Sequence, residues 1–174
     1  MEPIKPLPFH QWADVHVTNK FISAEPMSGY RHVLPEDDGY RVYLALDATD
    51  EELGSTLLGA LDRSRFIWPL DDPEFFKWQR YARCYMLRDQ DFMRRYRYKT
   101  KRDLYKTMNW CQVKRSEGKI SIQPHQRRQK PGEWKWLAPE QNVVIAETRD
   151  PAAVGSALRV ALDRCEETTA SSTT

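Results

Sequence analysis

No apolar stretch in these 174 residues approaches the roughly 20 that a bilayer crossing needs. Met1 to Pro8 is rich in proline rather than apolar, which reads as neither a signal peptide nor an anchor. Cysteine is scarce. Cys84, Cys111 and Cys165 are odd in number and too far apart for a C-x-x-C metal or redox pair. They suit a reducing compartment, where buried thiols behave as small apolar groups. The four histidines, His10, His16, His32 and His125, show no H-x-x-x-H spacing, and neither a G-x-S-x-G elbow nor a phosphate-cradling glycine loop occurs. The expectation is a cytoplasmic chain with no catalytic residues, no metal, no cofactor and no membrane partner.

What is present begins with uneven charge. The net charge is only +2, yet basic residues crowd between Lys77 and Arg102: Arg80, Arg83, Arg88, Arg94, Arg95, Arg97, Lys99 and Lys101, opposed by Asp89 and Asp91. Acidic residues gather at Glu36-Asp37-Asp38 and between Asp47 and Glu52. Such asymmetry bears on a partner's approach more than on the fold.

The chain also echoes itself. Leu53-Gly54-Ser55-Thr56-Leu57-Leu58-Gly59-Ala60-Leu61-Asp62-Arg63 reads against Val154-Gly155-Ser156-Ala157-Leu158-Arg159-Val160-Ala161-Leu162-Asp163-Arg164 without a gap. At the same offset Val42-Tyr43-Leu44-Ala45 faces Val143-Val144-Ile145-Ala146. Two copies of a strand followed by a helix, around 40–64 and 141–165, are the simplest reading. Both copies carry helix-start chemistry. Thr49-Asp50-Glu51-Glu52 is a capping box, and Asp150-Pro151 puts a carboxylate cap before a proline that needs no amide hydrogen. Gly54 and Gly155 sit inside helices, where glycine costs about 1 kcal/mol against alanine, so a close approach of the helix to its neighbour is expected there.

Between the copies, Asp72-Pro73 opens a helix candidate carrying Phe75, Phe76, Trp78 and Ala82, and Thr100 to Asp103 has capping-box spacing ahead of Leu104 and Met108. The apolar period is poor from Arg83 to Tyr98. A hairpin is expected around Ser116-Glu117-Gly118, with a basic loop from His125 to Gly132. Val15 to Val17, Phe21-Ile22 and Tyr40 to Leu46 read as strands. The tail 166–174 has nothing to bury and reads as disordered. The fold expected is α+β, one domain over 1–165, with antiparallel β-sheets and helices in two pseudo-repeated sheet-then-helix halves, a plan similar to Whirly-like architecture.

The residues from Asp47 to Arg65, from Tyr98 to Met108 with Cys111, and Ile120 to Pro124 followed by Val154 to Cys165 resemble, in this order, three signatures of a family of contact-dependent growth inhibition (CDI) immunity proteins. The resemblance implies a protein that forms a heterodimer with the toxin domain of an exported effector and keeps it inactive. It further implies that a nuclease, such as one acting on transfer RNA, is the target.

Two surfaces fit such a role. Glu36, Asp37 and Asp38 form an acidic loop able to plug a positive nuclease cleft, and Trp134 and Trp136, at strand spacing beside Arg127 and Arg128, form a second patch. The rival reading is single-stranded nucleic acid binding by the basic-aromatic segment 77–102, with Arg80, Arg83, Arg94, Arg95 and Tyr96 tracking phosphates and stacking on bases. A solvated arginine face over rings turned to the core makes a nucleic acid partner the lesser expectation.

Overall fold

The computed structural model describes residues 9–171, with side chains through Glu166. Four strands and a helix come first: β1 (Gln11–Val17), β2 (Ile22–Gly29), β3 (Val33–Pro35), β4 (Val42–Leu44) and α1 (Asp50–Arg63). After a short 3-10 turn, Pro73–Phe76, come α2 (Trp78–Tyr96) and α3 (Lys101–Tyr105). Then the first pattern returns: β5 (Asn109–Ser116), β6 (Lys119–Arg127), β7 (Trp134–Trp136), β8 (Val143–Ala146) and α4 (Pro151–Ser171). The strands form one antiparallel sheet in the order β3-β2-β1-β5-β6-β7, with β4 also on β2 and β8 also on β6.

The repetition is thus deeper than the strand and helix echoed in sequence: each half is four strands and a helix. Matching the ladders puts Ile22 against Ile120, Ser23 against Ser121, Pro26 against Pro124, Trp12 against Trp110 and Glu25 against Gln123. The halves join through β1 and β5, where Asp14 pairs with Gln112. That pair maps onto itself when the halves are exchanged, so a pseudo-twofold axis runs between them.

Strand alternation sorts the sheet into two faces. Ala13, Val15, Ile22, Ala24, Cys111, Val113, Ile120 and Ile122 point to one side and pack with Leu53, Leu57, Leu61, Val154, Leu158 and Ala161 of α1 and α4. Caps start both helices as their sequences dictate. Thr49 accepts from the Glu52 amide while Glu52 accepts from the Thr49 amide, and Asp150 accepts from the Ala152 amide. The helices cross at their glycines. A Cβ on Gly54 would lie 1.7 Å from the Pro151 carbonyl oxygen, and one on Gly155 would lie 1.7 Å from that of Asp50. Each glycine therefore admits the other helix's first turn.

Several sequence expectations change. The helix foreseen from Asp72 is a 3-10 turn capped by Asp72, and the long helix starts at Trp78. It runs unbroken through 83–96, because its inward face holds Arg80, Arg88 and Asp89 as well as Cys84 and Phe92, which hides it from an apolar count. Strand β6 continues to Arg127, so the basic loop begins later than His125. The hairpin turn stands where expected, with Glu117 and Gly118 both at positive φ. The backbone of α4 runs to Ser171, into the stretch 166–174 expected to be disordered, since adding a turn to a formed helix needs no new nucleus. The side chains of 167–171 and all of 172–174 lie outside the described residues.

Substituting Gly54→Ala or Gly155→Ala should cost about 3 kcal/mol in urea unfolding, because backbone must move. Gly59→Ala, on the same helix with open space around it, should instead raise stability by up to about 1 kcal/mol.

Candidate functional site

The sheet's second face differs between the halves, because α2 is inserted once, over the first, while α3 reaches β7 through Tyr105 and Trp134. In the first half Asp14 and Glu25 lie cross-strand, 1% and 2% exposed, beneath α2. Arg41 closes on Glu25 at 2.7 Å and the buried Arg88 stands 3.6 Å from it. Arg88 also reaches Asp89 at 3.4 Å, and the Tyr105 hydroxyl donates to Asp89. Burial works against the charge on Arg88, but Glu25 and Asp89 hold it protonated and raise its pKa. Burial, with Glu25 beside it, pushes Asp14 up to about 7, while Arg88 and the side chains of Trp110 and Gln112 pull the other way. Phe92 of α2 packs under this layer with Phe21, Tyr98, Leu104 and Met108.

In the second half the equivalent residues are Gln112 and Gln123, both half-buried with no helix over them. A row of rings runs in register from the first half into the second: His16, Trp110, His125 and Trp136 on β1, β5, β6 and β7. Trp110 stacks on His125 at 3.8 Å, and Trp136 meets His125 edge-on at 4.7 Å. Burial lowers His125 to about 4 and takes His16 well below its usual value, so both rings are neutral near pH 7. Trp136 is 59% exposed, and Val144 on the neighbouring β8 is exposed as well.

Beyond Trp134 the β6–β7 loop borders a groove of about 670 Å³. Lys106, Arg127, Arg128, Lys130 and Lys135 line it against a single carboxylate, Glu133, which pairs with Lys130 at 3.3 Å. Arg127 donates to the Lys106 carbonyl, tying the loop strand to the end of α3. The structure brings Arg127, Arg128 and Trp134 to this groove, and Trp136 shares the strand face of Trp134.

Glu36, Asp37 and Asp38 lie elsewhere and are matched within the chain. Glu36 accepts two bonds from Arg65, at 2.7 and 2.8 Å. Asp37 lies 3.1 Å from Arg80 and 3.3 Å from Arg83, and Asp38 lies 3.4 Å from Arg63. The basic segment is likewise tied to the chain, although Arg83, Arg94 and Arg95 remain exposed. Arg80 is buried over the Phe75 ring and donates to the Pro35 carbonyl, Tyr96 stacks on Phe21 at 4.2 Å, Arg95 lies over Tyr43, and Arg94 pairs with Asp91. These rings are not offered to bases. Sequence reading missed Trp110, Lys114 and His125 on this face of the sheet. Alternation within each strand carries that signal, but only the ladder register shows that the strands share a face.

Among the described residues no group of three or more His, Cys, Asp or Glu is placed to hold a metal ion, and no helix is long and apolar enough to cross a membrane.

Residues 11–165 match the family model described as CdiI, CDI immunity protein. The immunity protein CdiI-YPIII of Yersinia pseudotuberculosis serotype O:3 (strain YPIII) is 30% identical over 169 residues, covering 89% of this chain and 95% of that protein. Among solved structures, a toxin and immunity complex, CdiA-CT/CdiI from Yersinia pseudotuberculosis, contains a chain matching at a TM-score of 0.84 and 30% identity. The match covers 90% of this chain and 98% of that one. A Neisseria meningitidis protein of unknown function, NMB0488, matches at 0.83 and 27%, over 90% and 96%.

The raised Asp14 carboxyl keeps a proton in the folded chain that the unfolded chain releases near 3.8. Its contribution to stability is therefore full below 3.8 and is lost as pH rises toward 7. Asp14→Asn should remove that slope and exceed the parent in urea unfolding at pH 8 by on the order of 2 to 4 kcal/mol.

Proposed function

The chain belongs to the CDI immunity protein family, and on that premise we propose that it binds and neutralises the toxin domain of one CDI effector in the cytoplasm of the producing cell. The observation that carries this reading is the likeness, over 90% of the chain and at 30% identity, to a chain of a solved toxin and immunity complex, beside the 30% identity to a curated immunity protein. The action is non-covalent: a preformed surface covers the toxin and keeps its substrate out. Inhibition of this kind needs a stable interface, on the order of 1,600 Å² in total, with aromatic or arginine anchors inside a polar rim.

The toxin is a nuclease, as the resemblance implies, and transfer RNA is its substrate class. The rival reading as a single-stranded nucleic acid binder loses support, because the half-buried Tyr96 is stacked on Phe21 and Arg80, Arg83 and Arg94 are matched by a carbonyl or carboxylates of the chain itself.

Co-expression provides the test. Cells making the toxin domain encoded beside this chain should survive with the chain and die without it, with intact transfer RNA in the survivors. The two proteins should leave a gel-filtration column as one heterodimer. Death of cells that contain folded immunity protein, or separate elution, would overturn the reading. Protection with transfer RNA untouched in unprotected, dying cells would overturn only the substrate class.

A further inference from the structure

The duplicated fold points to where the partner sits. In the first half, the sheet's second face is roofed by α2, and its polar residues are buried: His16, Ser23 and Glu25 are 3%, 1% and 2% exposed. In the second half the matching strands carry Trp110, Gln112, Lys114, Ser121 and Gln123, all half-buried beside the buried His125, and the row ends on the open ring of Trp136. The same four-stranded platform thus carries α2 once and lacks it once. The copy without α2 ends at the groove beyond Trp134, so apolar anchors and a cationic rim form one surface.

We propose that the toxin domain docks on this uncovered half-face, with Trp136 as the central anchor and an acidic segment of the toxin entering the groove lined by Lys106, Arg128, Lys130 and Lys135. The inference rests on the immunity reading and deepens it. Two observations specify the occupant. Replacing the carboxylates of the first half by Gln112 and Gln123 removes the need for buried arginines, so the partner needs only amide-compatible polar groups over the sheet. The groove carries five cations against one carboxylate that is already paired, which favours an acidic protein surface. A nuclease holds phosphate in a positive cleft, so the acidic toxin segment that fits here lies outside that cleft. The chain then keeps the substrate out sterically from a footing beside the cleft.

The exposed tryptophans supply a built-in control, because Trp78, 71% exposed, stands on α2, where it stacks on Tyr81. After gel filtration has shown the heterodimer, hydroxyl-radical footprinting of the parent protein should show Trp136 losing its oxidation in the complex while Trp78 keeps it. Trp136→Ala, checked for folding by urea unfolding, should weaken the complex at least about 30-fold, as loss of a buried aromatic anchor does. Arg128→Glu with Lys135→Glu should slow association about tenfold at low salt.

Equal oxidation of Trp136 free and bound, or protection of Trp78 in its place, would overturn the docking site while leaving the immunity function standing. Shielding of Trp136 by a single-stranded oligonucleotide at physiological salt would overturn it in favour of a nucleic acid surface. A toxin that forms no heterodimer with the parent chain would remove the immunity reading itself, and the docking site with it.

Discussion

Two helix backbones touch where Gly54 meets the carbonyl of Pro151 and Gly155 meets that of Asp50, and the rest of the molecule is arranged around that contact. Side chains of any size there would hold the helices apart. The apolar layer of Leu57, Leu61, Leu158 and Ala161 would then lose its close fit to the sheet beneath. Because the contact is reciprocal, it fixes both halves at once. The axis that exchanges the two glycines also passes between Asp14 and Gln112 on the far side of the sheet.

Near-symmetry makes the departures from it informative. One half has carboxylates at Asp14 and Glu25, and the other has Gln123 opposite Gln112. Buried carboxylates need partners, and the inserted α2 brings Arg88 to Glu25 while Arg41 closes on it from the side. Insertion and charge therefore belong together: without α2 the acids would face water, and without the acids the buried Arg88 would lack its main counter-charge. The amide half has no such requirement, and its face stays open.

Charge elsewhere is largely spent within the chain. The acidic loop at Glu36 to Asp38 is bound to Arg63, Arg65, Arg80 and Arg83, which joins the β3 end of the sheet to α1 and α2. The cations around Arg128 and Lys135 have no comparable set of carboxylates beside them. For this chain, position in the fold separates structural charge from charge available to a partner, and density along the sequence does not.

Sequence alone determined the helix starts, the hairpin turn and the repeated Gly-Ser-x-x-Leu helices, because caps, turns and helical periods are local and act over a few residues. It also carried the family resemblance and placed Arg127, Arg128, Trp134 and Trp136 together, since they are neighbours in the chain. The helix through 83–96 escaped it, because a face built from Arg80, Arg88 and Asp89 has no apolar period. The row from His16 through Trp110 and His125 to Trp136 belongs to tertiary structure. Those rings come from four strands, and only hydrogen-bonded register brings them to one face and leaves half of that face uncovered.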